Sequence, residues 1–84
     1  MRTHLHIYST KQELKLGLHE AVTNHEGAKV HLQDNTVCCN EVLRVFITIE
    51  DLRKMKGHRV DSVAYHGISP TEDEEHLLME ILNA

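Results

Sequence analysis

Histidine and cysteine carry most of the chemistry available to this chain. Eight histidines stand at positions 4, 6, 19, 25, 31, 58, 66 and 76, and the two cysteines, Cys38 and Cys39, are adjacent. Imidazole binds metals, relays protons and titrates near neutral pH. Together with thiolates it holds zinc, and beside a thiolate it makes a nucleophilic pair. His4 and His6 alternate with Leu5 and Ile7, so both rings fall on one face of a strand. His31 and Cys38 or Cys39 would approach from a neighbouring hairpin. The spacings that mark such sites are missing. There is no Cys-x-x-Cys and no His-Glu-x-x-His. Ser9, Ser62 and Ser69 lie in no nucleophile elbow. The residues therefore point to a protein that is not an enzyme and needs no metal or other cofactor. A His/Cys metal-binding protein stands as an alternative. Scattered surface or half-buried imidazoles are the plainer account. Adjacent cysteines without a third partner read as reduced thiols, in keeping with a cytoplasmic protein.

Charge is the second feature. Thirteen Asp and Glu against nine Lys and Arg give a formal charge of −4 over 84 residues. That balance argues against a generic nucleic-acid binder, whose affinity rests on neutralising phosphates. The charge is segregated, however. Arg53, Lys54, Lys56 and Arg59 form a dense basic run, and Glu72, Asp73, Glu74 and Glu75 an acidic one. Each also suits a helix end, cations at the C-terminus and carboxylates in the first turn. As surfaces, the two runs are the candidate partner-binding patches, and a protein is the expected partner. A nucleic-acid-associated module using residues 53–59 is a further alternative. Tryptophan is absent, and Phe46, Tyr8 and Tyr65 are the only Phe or Tyr residues. Large aromatic anchors and stacking platforms are therefore scarce.

The elements that must position these residues are legible from periodicity. Residues 3–9 alternate as a strand. Thr10 and Glu13 form a capping box before a helix expected over 11–25, with Gly27 stopping it. Gly17 inside this helix marks a close approach to the sheet. Residues 28–32 and 36–39, joined by the polar Gln33-Asp34-Asn35, read as a hairpin whose Ala28, Val30 and Leu32 share a face. Residues 42–47 form a fourth run, either a separate strand or the third continued past a bulge. Thr48 caps a short helix with Leu52 and Met55 inward and Gly57 at its end. Residues 59–66 read as a strand with Val60 and Ser62 on one face and Val63 and Tyr65 on the other. The last helix starts at Pro70 or Thr71 and buries Leu77, Leu78, Ile81 and Leu82.

The stretch from Val30 to His66 resembles part of the ATPase core of phage terminase large subunits and related helicase-like proteins. The counterparts are Val30-His31-Leu32-Gln33-Asp34-Asn35-Thr36-Val37, a strand and polar turn, and Leu52-Arg53-Lys54-Met55-Lys56-Gly57-His58-Arg59-Val60-Asp61-Ser62-Val63. The likeness covers less than half of the chain. It implies a similar β-α arrangement and a phage origin. It does not imply ATP hydrolysis, because the glycine-rich Lys-Ser/Thr phosphate loop is absent. His66-Gly67 also stands where the family has its acidic pair for magnesium.

These readings converge on one small α/β domain spanning 1–84, with element order β-α-β-β-(β)-α-β-α. The expected sheet is mixed and about four-stranded, with helices mainly on one face. No run is long and apolar enough for a membrane span, and the opening residues do not read as a leader peptide. The expected function is a non-enzymatic protein-binding module, such as a small phage-encoded accessory protein or inhibitor acting on a larger complex in the host cytoplasm. Edge-strand pairing into a homodimer is a further expectation for so small a core.

Overall fold

A computed structural model describes residues 2–24, 27–31 and 33–82. The chain runs β1 (Arg2–Tyr8), α1 (Lys11–Asn24), β2 (Lys29–His31), β3 (Thr36–Cys39), β4 (Val42–Thr48), a 3-10 helix (Ile49–Met55), β5 (Ser62–His66) and α2 (Glu72–Leu82). The strands form one mixed sheet in the order β2-β3-β4-β1-β5. β1 lies between β4 and β5 and runs parallel to both. The β2–β3 and β3–β4 pairs are antiparallel. No described helix is long and apolar enough to cross a membrane.

The sheet has five strands rather than four because residues 42–48 form a strand of their own. The chain reverses through Asn40 and Glu41, both with positive φ (53° and 62°). Cys39 and Val42 are the paired residues that flank the turn. Positive φ at both central residues is the geometry of a two-residue type I′ hairpin, whose twist matches that of the strands. Asparagine tolerates this conformation, but glutamate rarely adopts it. Asn40-Glu41 is therefore a weak sequence signal for a reversal.

Alternation in β1 sends Leu5 and Ile7, both fully buried, to one face and His6 and Tyr8 to the other. Leu5 and Ile7 join Leu52, Val60, Leu78 and Ile81 in a core covered by the 3-10 helix and α2. Tyr8 joins Leu14, Leu18, Val37 and Phe46 in a second core beneath α1. The expected placing of helices mainly on one face is thus corrected. Two helical elements share one face and α1 covers the other, because the central strand carries buried residues on both sides.

Both long helices start at threonine. At Thr71 the capping box is complete: Glu74 N–H donates to Thr71 Oγ1 (3.3 Å), and Thr71 N–H donates to Glu74 Oε1 (2.8 Å). At Thr10 it is half made. Glu13 N–H donates to Thr10 Oγ1 (3.2 Å), while the Glu13 carboxylate accepts from Ser9 Oγ (2.8 Å). α1 ends at Asn24; the expected last residue, His25, lies outside the described residues, as does Leu32 of the expected second strand. Gly17 meets the sheet as its position suggested. A Cβ there would overlap the Tyr8 phenol.

The last strand is shorter than expected. It begins at Ser62, and Asp61 fastens its entry to β1. Asp61 N–H donates to Thr3 O (2.9 Å), and Thr3 N–H donates to Asp61 Oδ2 (2.8 Å). Val60 precedes the strand and so escapes its alternation. It is buried with Val63 and Tyr65, not paired in direction with Ser62.

Candidate functional site

The partner-binding candidates lie in the 3-10 helix, in the segment that follows it and in the first turn of α2. Arg53, Lys54, Lys56 and Arg59 are all exposed, as are Glu72, Asp73 and Glu75; Glu74 is half-buried. Arg53 and Lys56 line a groove between the 3-10 helix and α2, together with Asp73, Glu74 and Glu80 from α2. Ile49, Leu52 and Leu77 supply its apolar part. Part of each charged run therefore meets in one mixed-charge groove, Arg53 and Lys56 from the basic run and Asp73 and Glu74 from the acidic one. Lys54 turns to Asp51, 3.1 Å away, one helical turn back. Lys56 Nζ lies 3.7 Å from Glu80 Oε2. Both pairs are exposed, and such pairs contribute at most about 1 kcal/mol, so a partner's charges can replace them. Arg59, Glu72 and Glu75 are outside the groove lining. Glu74 serves partly as the cap of α2. Near these carboxylates, the Tyr65 hydroxyl is buried without a hydrogen-bond partner. Burial first, then Glu74 and Glu75, push its pKa up.

The α1 side of the sheet holds an assembly absent from the sequence reading. β1 and β4 place His6 beside Phe46, and β1 and β5 place Tyr8 beside His66. The four rings stand nearly parallel. His6 and Phe46 centroids are 4.9 Å apart, Tyr8 and His66 4.5 Å, and His6 and His66 5.1 Å. His6 Nδ1 and His66 Nε2 share a 2.8 Å hydrogen bond. His6 Nε2 is buried and has no partner. Burial, then His66, Arg44 and His4, lower the His6 pKa to about 4, so the ring is neutral at physiological pH. Burial, with a smaller effect from Glu20, raises the Tyr8 pKa. Alternation already put His6 and Tyr8 on one face. What no local signal supplied was the pairing of β1 with β5, which brings in His66.

The same topology separates the candidate metal ligands. His4 and His6 lie on β1, and His31 lies on β2 at the far edge, with β4 and β3 between them. Cys38 and Cys39 are both unbridged and half-buried. As neighbours on one strand they point to opposite faces. Among the described residues, no group of three or more His, Cys, Asp or Glu is placed to hold a metal ion. No protein-family model, curated protein or solved structure matches this chain.

Proposed function

We propose that this chain is a non-enzymatic protein-binding module that docks on a larger protein or complex through the groove between the 3-10 helix and α2. The observation that carries this reading is the meeting of Arg53 and Lys56 with Asp73, Glu74 and Glu80 in one groove. One wall carries Arg53 and Lys56 beside Glu50 and the other carries Asp73, Glu74 and Glu80, so the groove suits a protein segment of mixed charge with basic side chains towards α2 and an acidic one against Arg53 and Lys56, since complementary charge fixes register and speeds encounter. It suits a nucleic acid poorly. A phosphate backbone tracking the basic residues would run beside the carboxylates of α2, losing the electrostatic term on which such binding depends. On the resemblance of residues 30–66, the module takes the form of a phage-encoded accessory protein or inhibitor.

Affinity capture with the wild-type chain and with an Arg53→Glu/Lys56→Glu variant tests this reading. A Lys11→Glu/Lys29→Glu variant, with the same charge change away from the groove, is the control. A stoichiometric protein held by wild type and control but lost by the groove variant is the expected result. Equal recovery by all three removes the groove from the account. A gel shift that steepens as salt falls and disappears in the groove variant would favour nucleic acid instead.

A further inference from the structure

The two edges of the sheet meet solvent differently. β2 is three residues long and carries Lys29, and a short, charged edge strand resists pairing with another chain. β5 is five residues long, Ser62-Val63-Ala64-Tyr65-His66, and contains no Lys, Arg, Asp, Glu or Pro. Among the described residues it pairs with β1 alone. We infer that two copies of this chain join through β5, paired antiparallel about Ala64, so that their sheets become one.

The first support is the direction of the backbone at this edge. Thr3 turns both its polar groups towards the start of β5. Its N–H donates to Asp61 Oδ2 (2.8 Å) and its carbonyl accepts from Asp61 N–H (2.9 Å). Arg2 N–H donates the other way, to Glu41 O (3.0 Å). Direction alternates along a strand, so Leu5 and Ile7 also bond towards β5. Their partners in register are Val63 and Tyr65. In a parallel pair the bonds of a residue go to the neighbours of its partner, so Ser62, Ala64 and His66 are the engaged residues. The N–H and C=O groups of Val63 and Tyr65 then face outward, without a partner in the sheet.

The second is that the strand complements itself. Pairing about Ala64 sets Val63 of each copy opposite Tyr65 of the other. Two residues that both face outward exchange both of their hydrogen bonds, so every outward group of β5 is met. The Val63 and Tyr65 side chains share the α2 face, where an aromatic beside a β-branched residue is a favourable cross-strand pair. On the other face Ala64 meets its own copy, small enough for the close approach of a pair without hydrogen bonds. Ser62 there meets His66, a hydroxyl beside an imidazole. No like charges oppose each other within the strands.

The third is the outer flank of α2. The groove side of this helix carries Asp73, Leu77 and Glu80. Met79 and Leu82, three residues apart, fall on the opposite flank and are 60% and 42% exposed. The 3-10 helix packs against β4 and β1, and α2 lies beside it on the core that includes Val63 and Tyr65. The flank with Met79 and Leu82 therefore looks past the β5 edge. A second copy joined at β5 brings the two apolar stripes towards each other and removes them from water. Charge agrees with this arrangement. α2 follows the end of β5, so antiparallel pairing sends Glu72, Asp73, Glu74 and Glu75 of the two copies to opposite ends of the joint.

Analytical ultracentrifugation and amide hydrogen exchange of the full chain at rising concentration test the assignment. A reversible monomer–dimer equilibrium in the micromolar range is the expected result, as for a small interface. Each copy carries a formal charge of −4, so added salt should tighten association. The Val63 and Tyr65 amides should slow as the dimer forms, while Ala64, already bonded to β1, changes little. Val63→Pro removes an outward N–H at an edge, where proline is tolerated, and should leave the chain monomeric. Met79→Glu, at an exposed position, should weaken the dimer about tenfold, the size of one apolar side chain left in water. Leu16→Ser, exposed on α1, should associate as the wild type does. A chain that stays monomeric into the millimolar range overturns the proposal. So does a dimer whose Val63 and Tyr65 amides exchange as fast as the monomer's, or one that survives Val63→Pro. Should that variant not fold, a dimer unchanged in Met79→Glu overturns it instead. A dimer lost in Arg53→Glu/Lys56→Glu but kept in Val63→Pro places the contact at the docking groove. Capture of a different protein at that groove stands or falls separately.

Discussion

His6 Nδ1 lies 2.8 Å from His66 Nε2, although 60 positions separate the two residues in the chain. One ring must donate and the other accept, so two fully protonated imidazoliums cannot share this contact. The groups facing His6 sharpen the effect. His4 on its own strand, Arg44 on β4 and His66 on β5 all disfavour its charge, while Glu13 and Glu20 of α1 line a cleft beside the rings.

A pH dependence of stability follows. The folded-state pKa of His6 is lowered from 6.5 to about 4. Between those values the unfolded chain binds more protons than the folded one, so stability falls as pH falls. The contribution is fully present above about pH 6.5 and is lost progressively towards pH 4. Thermal unfolding should show Tm dropping over this window. His6→Phe, which keeps a ring against Phe46, should give a shallower slope. Parallel slopes for the two proteins would contradict this account.

Gly17→Ala should destabilise the protein. In an ordinary helix interior the change gains up to about 1 kcal/mol. Here the new methyl overlaps the Tyr8 phenol, against which the helix packs. Overpacking of this kind costs about 1–3 kcal/mol, so the expected sign is reversed. Urea unfolding measures it, and Gly17→Ala should cost less in a Tyr8→Val background than in the wild-type chain, because the overlapping phenol is gone.

Glu41→Gly should stabilise the β3–β4 hairpin. Glu41 holds φ at 62°, and glycine adopts that conformation without steric cost. The Asn-Gly pair that results is the favoured type I′ sequence. A gain of about 1 kcal/mol is expected in urea unfolding, the size of the left-handed penalty for a side-chain-bearing residue. A loss would mean that the Glu41 side chain does something the turn requires.

Thr71→Ala should cost about 1 kcal/mol by removing the acceptor for Glu74 N–H at the start of α2. Thr71→Asp keeps an acceptor and should cost much less. Hydrogen exchange at the first turn of α2 localises the effect. Equal unfolding midpoints for the alanine and aspartate variants would show that the cap contributes little.

The amino-acid sequence by itself determined the order of elements apart from the division between β3 and β4, the cap at Thr10, the two faces of β1 and the close approach at Gly17. These are local properties: periodicity, caps and backbone freedom act within a few residues. It also marked Arg53, Lys56, Asp73 and Glu74 as charged patches. Only the tertiary structure decided that those patches share a groove, since no local rule ties the end of the 3-10 helix to the start of α2. It likewise decided that β5 pairs with β1, which sets His66 beside His6 and leaves His31 two strands further off. Strand order is settled by which buried faces can be covered together, Leu5 and Ile7 by α2 and Tyr8 and Phe46 by α1. That choice is a property of the whole packed chain, and no short window contains it.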